Sequence, residues 1–185
     1  LIARWIPHTY RLRHHTSGAL IRTPEGKYLF QVRVHNMKVY PFGLAAYGGH
    51  VLSGMTYEEA IREELLQELG LEEGHELKGR FLKLGPHGSF ESPAWDHKNV
   101  ERRSWDIYEP PADELKKIRE IIGSLEQYRL EHSRAEYEAW LVQQQGESQS
   151  GFGEVYQVLE LSLDEVLEIN RNGYIDIPYR FANGE

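Results

Sequence analysis

The stretch from Gly48 to Leu71 constrains the fold more than any other part of the chain. It begins with a double glycine and continues as an acidic, amphipathic sequence. Thr56 followed three residues later by Glu59 is a capping-box pattern, which predicts that a helix begins there. Apolar residues recur at helical spacing on one face of this helix, which we expect to face the core: Ile61, Leu65 and Leu69.

A second face of the same helix is acidic. Glu64 and Glu68 are four residues apart and therefore share a face, with Gln67 beside them. Two carboxylates held rigidly next to a glycine turn, where backbone can approach a ligand, suit a hard cation that bridges to phosphate oxygens. An acidic helix face is, however, often only a solvated surface. The pattern by itself leaves both interpretations open.

This stretch resembles the Nudix box, G-x5-E-x7-R-E-U-x-E-E-x-G-U, where U is an aliphatic residue. The alignment needs no gap, and it places Gly49, Glu64 and Glu68 at a glycine and two glutamates of the box. Where the box has glutamate, arginine and glutamate, this chain departs from it with Met55, Glu63 and Gln67. The resemblance implies a degenerate box on a Nudix α/β/α sandwich, an α+β fold with a mixed sheet.

The resemblance also implies a chemistry. Nudix enzymes resemble one another in hydrolysing a nucleoside diphosphate linked to another group, with Mg²⁺ (or Mn²⁺) as cofactor. For this chain it implies Glu64 and Glu68 as catalytic residues. The implied metal ligands are Glu64, Glu68, Gln67, Glu101 and His50. The implied contacts to a nucleotide or diphosphate substrate are Arg33, Lys38, Gly48, Gly49 and Arg103. For His50 and Arg33, ordinary structural roles remain equally open.

The sequence from Asn99 to Arg103 extends the resemblance to one branch of the family. It is similar to an N-x-E-R-R segment of the isopentenyl-diphosphate-isomerase-like Nudix hydrolases. In the isomerases themselves, a glutamate matching Glu101 and a histidine matching His50 ligate a metal. Isomerase activity is excluded, because Gly48 takes the place of the catalytic cysteine and the chain contains no cysteine.

Composition narrows the class of protein. The 185 residues suit a single domain, taken as 1–185, and 40% hydrophobic content suits a globular core. The net charge of −8 argues against a general nucleic-acid binder but permits a small nucleotide whose phosphates a metal neutralises. No apolar run approaches the ~20 residues of a membrane span. We expect a cytoplasmic protein; since the chain begins with Leu1 rather than Met, an organelle stays an alternative.

Other segments predict the elements around the box. The stretch 85–94 is rich in Gly, Pro and Ser and predicts a loop long enough to act as a lid. Ser162 and Glu165 form a second capping box, which opens a helix to about Asn170. Strands are predicted from alternating or apolar runs at Ser17–Arg22, Lys27–Val34, Leu77–Leu84 and Glu154–Leu161.

A long helical insertion is predicted at about 111–150. Apolar residues recur there at three- and four-residue steps, which predicts a helix or helical hairpin broken near Gly123 or Ser133. Its apolar stripe must pack either on the domain or on a second subunit. A homodimer through the inserted helix is therefore one of the two options.

Two functions from different classes compete. The first is a metal-dependent Nudix hydrolase that cleaves a diphosphate linkage in a nucleoside diphosphate derivative. The second is a catalytically silent Nudix domain that binds a nucleotide or a protein partner. The retained Glu64 and Glu68 favour the hydrolase, and the three departures from the box favour the silent domain. We take the hydrolase as the leading hypothesis, because carboxylates at both ligand positions are otherwise unexplained.

Overall fold

The computed structural model describes residues 14–37, 41–71, 74–92, 99–147 and 151–172. Within them, the strands of a seven-stranded mixed sheet are β1 (His14–Arg22), β2 (Tyr28–Arg33), β3 (Leu44–Ala45), β4 (Tyr47–His50), β5 (Arg80–Ser92), β6 (Asn99–Glu109) and β7 (Val155–Leu161). The four helices of these residues are α1 (Tyr57–Glu68), α2 (Ala112–Glu131), α3 (Arg134–Glu147) and α4 (Leu163–Asn172). A 3-10 turn, Gly151–Glu154, leads into β7.

The central strand β1 organises the sheet. On one edge it pairs antiparallel with β4 and then with β2, and on the other edge it pairs parallel with β6. The tight turn between β1 and β2 needs a positive φ, which Gly26 provides at 78°. The pairing of β5 with β6 and of β7 with β2 is antiparallel. Because β4 and β6 flank the same half of β1, residues from three chain segments lie side by side there.

The prediction of a loop at 85–94 is wrong for the residues that the structure describes. β5 continues through this stretch to Ser92 and pairs with β6 along its length. The pairing shifts register between Lys83 and Pro86 and again between His87 and Ser89. Such bulges admit a proline, which cannot donate to a ladder, and a glycine without ending the strand. The last two residues of the predicted loop lie outside the described residues.

Helix α1 forms where the capping box predicts it. Glu59 N–H donates to the Thr56 hydroxyl at 3.1 Å, and Thr56 N–H donates to the Glu59 carboxylate at 2.7 Å. The predicted apolar stripe of α1 is buried in one core with side chains of the sheet, among them Ala19 and Ile21. This core therefore fixes α1 across β1, β4 and β6, with its opposite side toward solvent.

The insertion is a helical hairpin that packs on its own domain. It breaks at His132 and Ser133, one of the two predicted positions, whereas Gly123 lies inside α2. Side chains of both helices form a buried cluster with strands β2 and β7: Leu125, Tyr137 and Leu141 with Val32, Val155 and Tyr156. The predicted stripe is thus buried along α2. In α3 the spacing predicted the wrong face, since Ala135, Ala139 and Val142 are exposed and Tyr137 and Leu141 are buried instead. The homodimer remains a prediction.

Helix α4 follows the last strand. Its predicted capping box is present, since Ser162 N–H donates to the Glu165 carboxylate at 2.7 Å and Glu165 N–H donates to the Ser162 hydroxyl at 3.3 Å. None of the helices in the described part of the chain has both the length and the apolar content to cross a bilayer.

Two adjacent residues of α3 test whether the hairpin packs on the sheet. Leu141 is 0% exposed and Val142 is 47% exposed. We expect Leu141→Ala to lower the free energy of unfolding by about 2–5 kcal/mol, because it leaves a cavity in the core. The matched control Val142→Ala should change it by less than about 0.5 kcal/mol. Urea denaturation measures both; equal, small effects would contradict the packing described above.

Candidate functional site

The double glycine of β4 leaves room for a carboxylate directly against the backbone. A Cβ at Gly49 would lie 1.9 Å from Oε1 of Glu64, so any other residue would displace that carboxylate. Gly48 has a φ of 148°, and a Cβ there would lie 2.2 Å from the carbonyl oxygen of Ser17. Gly48 therefore requires glycine for its pairing with β1, whereas at Gly49 a side chain is excluded only while the Glu64 carboxylate keeps its place.

The second carboxylate of α1 is held at the edge of β4. Glu68 is 5% exposed. Its Oε2 accepts a hydrogen bond from Gly48 N–H at 2.9 Å, and its Oε1 accepts one from Gln31 Nε2 at 3.1 Å. Gln31 also donates to the carbonyl oxygen of Ala46 at 3.1 Å. Glu64 and Glu68 are hereafter the carboxylate pair. Glu68 is anchored by Gly48 N–H, and Glu64 lies directly against Gly49.

Negative charge accumulates around Glu68. Burial raises the pKa of Glu68 to about 8, and the charges of Glu64 and Glu154 add to the rise. The hydrogen bonds from Gln31 and Gly48 oppose it, because they favour the ionised form. Burial, with a contribution from Glu68, also raises the pKa of Tyr47. Glu154 ends the 3-10 turn that packs against both α1 and α3, so the segment that leads into β7 contributes one of these charges.

The carboxylate pair fits a small divalent cation. A cation in the place of the Glu68 proton would offset the repulsion among the neighbouring carboxylates. Mg²⁺ is usually bound through one or two carboxylates, with water and substrate phosphates completing its shell. Over the described ranges, no group of three or more His, Asp or Glu side chains is arranged to hold a metal. Two protein carboxylates are therefore what this part of the chain offers such an ion.

None of the three departures from the Nudix box is as buried as Glu68. Gln67 and Glu63 are exposed and Met55 is half-buried. One residue along a helix rotates the side chain by about 100°, so exposed Gln67 and buried Glu68 point in different directions. The assignment of Gln67 as a metal ligand remains a prediction.

Arg62 connects α1 to the segment around Leu77 and Phe81. Its guanidinium donates to the carbonyl oxygen of Leu77 at 3.2 Å and to Glu58 at 3.2 Å, and lies 4.5 Å from the ring centroid of Phe81. These contacts join α1 to the segment that leads into β5.

A second group of site residues lies on the other face of the sheet. Because Thr16 pairs with His50 on one side and with Arg103 on the other, these three side chains share a face. Arg103 Nε donates to the Thr16 hydroxyl at 3.1 Å, and the His14 ring stacks on His50 at 5.0 Å. Gly49 precedes His50 in β4 and therefore faces the other side of the sheet, where a Cβ built on it would meet the Glu64 carboxylate. The sheet thus separates His50 and Arg103 from Glu64.

The remaining predicted site residues are placed only in part. The backbone of Glu101 pairs with His14 and Phe90, while its side chain is outside the described part. Arg33 ends β2, where its N–H donates to the carbonyl oxygen of Gly43 at 3.0 Å. Lys38 lies outside the described residues. Their roles as metal ligand and substrate contacts remain predictions.

Sequence reasoning missed Gln31 and His14. A single glutamine within the apolar run of β2 was a signal for the first, since a buried amide needs partners. His14 had no comparable signal, because its stacking on His50 depends on the pairing of β1 with β4.

Comparisons with known proteins bear on the fold. A scan against models of protein families gives no match, and a search of curated proteins gives none either. DR0079 from Deinococcus radiodurans is similar over 87% of this chain and 74% of its own, with 18% identity and a TM-score of 0.53. A Nudix hydrolase from Nitrosomonas europaea is similar over 90% of this chain and 82% of its own, with 14% identity and a TM-score of 0.49. The likeness to DR0079 concerns the fold alone, and it agrees with the mixed-sheet α+β architecture that the sequence predicts and the structure shows.

The contact between Glu64 and Gly49 can be tested directly. We expect Gly49→Ala to displace the Glu64 carboxylate, because the added methyl would occupy the same space. A crystal structure of the variant should show Glu64 turned away from β4. Gly123→Ala is the control, since a Cβ there meets nothing within 4 Å. An undisturbed Glu64 in Gly49→Ala would contradict the geometry.

The pKa of Glu68 predicts a pH dependence of stability. Between its ordinary value of 4.5 and about 8, the folded protein keeps a proton that the unfolded chain releases. The free energy of unfolding of the metal-free protein should therefore fall as pH rises through this window, by about 1.4 kcal/mol per unit of pKa shift. Glu68→Gln should lose this slope, and Glu63→Gln, at an exposed position, should keep it. Urea denaturation from pH 4 to 9 in EDTA measures the slopes; parallel curves for wild type and Glu68→Gln would refute the shift.

Proposed function

We propose that this chain is a metal-dependent, Nudix-type hydrolase that cleaves a diphosphate linkage in a nucleoside diphosphate derivative. The observation that supports it most is the carboxylate pair on the Gly48–Gly49 backbone. The absence of a side chain at position 49 leaves room for the Glu64 carboxylate directly against β4. The fold likeness to solved structures is compatible with this activity but does not specify it.

The two carboxylates have different surroundings and suit different roles. When bound, Mg²⁺ or Mn²⁺ would offset the charge that develops on the phosphate oxygens during hydrolysis. Glu68 is buried and fixed by two hydrogen bonds, which suits a residue that holds the cation in place. Glu64 is only half-buried and can therefore reach a water molecule, which it would orient or deprotonate.

The substrate contacts of the proposal are carried by the family resemblance. Gly48 and Gly49 are two of these candidates, and on their α1 side the structure places Glu68 and Glu64 against them. Arg103 donates to Thr16 on the opposite face of the sheet from Glu64, so the structure does not bring it to a diphosphate held by the carboxylate pair. Arg33 and Lys38 are further candidates for phosphate contacts, carried by the family resemblance.

A second function is supported by the same buried carboxylate. Glu68 is 5% exposed, and each of its oxygens already accepts a hydrogen bond from the protein. A carboxylate so engaged can serve as a structural tie between α1 and β4. This geometry favours a Nudix domain that binds a nucleotide without hydrolysing it.

A substrate panel separates the two functions. Incubated with Mg²⁺ or Mn²⁺, the wild-type chain should release phosphate products from at least one nucleoside diphosphate derivative. Glu64→Gln and Glu68→Gln should lower the rate about a hundredfold or more, because each removes a charge that the metal needs. Glu63→Gln removes an exposed charge of the same helix and should keep the wild-type rate.

Two other results would contradict the proposed hydrolase activity or its site. If no member of the panel is hydrolysed while a nucleotide binds wild type and both carboxylate variants with equal affinity, the chain is a binding module. Hydrolysis that persists unchanged in Glu64→Gln and Glu68→Gln would place the active site elsewhere.

A further inference from the structure

Gln31 is a polar residue in a strand that is otherwise apolar and buried. It is 2% exposed, and its neighbours in β2 are Tyr28, Leu29, Phe30 and Val32, all buried. Burying an amide costs free energy unless its polar atoms are hydrogen-bonded, and methionine has a similar volume without that cost. The glutamine is therefore informative about what it contacts.

The Gln31 side chain uses one nitrogen for two acceptors. Nε2 donates to Oε1 of Glu68 at 3.1 Å and to the carbonyl oxygen of Ala46 at 3.1 Å. An amide nitrogen has two hydrogens, so both are engaged. Ala46 lies between β3 and β4, two residues before Gly48. A single side chain thus joins β2, the start of β4 and the end of α1.

These contacts fix the rotation of the Glu68 carboxylate. Glu68 is the last residue of α1, and its long side chain could adopt several rotamers. Gln31 holds one oxygen, and Gly48 N–H holds the other at 2.9 Å. Two donors on two different oxygens define the plane of the carboxylate, which neither donor would do alone.

We propose that Gln31 is a positioning residue, which holds the Glu68 carboxylate in the orientation that directs it, with Glu64, toward a common cation. The consequence for metal binding rests on the proposed function, whereas the consequence for the orientation of Glu68 does not. Partners that orient a ligating carboxylate typically contribute a factor of about 10–100 to metal affinity or activity. Glutamine suits this task because it donates and adds no charge to an already acidic site.

Three variants test the proposal. Gln31→Met keeps the length and removes the donors, and Gln31→Glu keeps the shape but replaces the donor by a carboxyl group. The control is Gln157→Met, because Gln157 lies on the adjacent strand β7, paired with Val32, and does not contact Glu68. Crystal structures of the metal-free proteins report the orientation of Glu68, and Mn²⁺ titration followed by electron paramagnetic resonance reports affinity.

The expected result is specific to the two Gln31 variants. In both variants Glu68 should leave its hydrogen bond with Gly48 or occupy several rotamers. In Gln31→Met, which adds no charge, Mn²⁺ affinity should fall about tenfold or more. With an identified substrate, KM for the metal should rise more than kcat falls. Gln157→Met should match wild type in all three measurements. Should Gln31→Met not fold, Gln31→Glu supplies the comparison of Glu68 orientation.

The outcomes separate this inference from the proposed function. If Glu68 keeps its wild-type orientation and affinity in the Gln31 variants while wild type binds Mn²⁺, the positioning role is overturned and the hydrolase stands. If wild type binds no Mn²⁺ and hydrolyses nothing, the proposed function fails. The crystal structures then still decide whether Gln31 orients Glu68.

Discussion

The structure around the candidate site depends on hydrogen bonds between a helix-borne carboxylate and the edge of a strand. Glu68 accepts from Gly48 N–H, and Glu64 lies against Gly49, so α1 and β4 are joined through polar groups at a place where both are close to the core. Ionised carboxylates this close repel each other and lose hydration. A proton or a cation offsets that cost, and burial accordingly raises the pKa of Glu68 to about 8.

The fold could be predicted from local signals that do not depend on distant contacts. Both capping boxes, with Thr56 and Ser162 as the first residues, start helices where the sequence places them. The position of the hairpin break follows equally from the interruption of the apolar pattern at Ser133. The prediction of a loop at 85–94 was wrong. Glycine and proline indicate a turn only where no partner strand accommodates them, and here β6 pairs with β5 through two bulges.

For the site, the sequence predicted which residues share a helix face but not which side chains of different strands come into contact. Spacing on a helix places Glu64 and Glu68 on one side, but Gln31 reaches Glu68 from 37 residues away. The same limit applies to His14, whose contact with His50 exists only in the register of β1 against β4. Pairing register is set by tertiary packing, so no local pattern reports it.

The departures from the Nudix box differ in what they change in the structure. In the family that the sequence resembles, a glutamate and an arginine at the positions of Met55 and Glu63 pair and brace the loop against the helix. This chain has neither partner, so neither charge of that pair is left buried and unpaired. Arg62 supplies another connection, from α1 to the carbonyl oxygen of Leu77 and the ring of Phe81, which anchors the helix without that brace. Gln67 is exposed, so its neutral amide leaves the carboxylate pair in place. What the chain retains is therefore the part of the box that the fold holds rigidly.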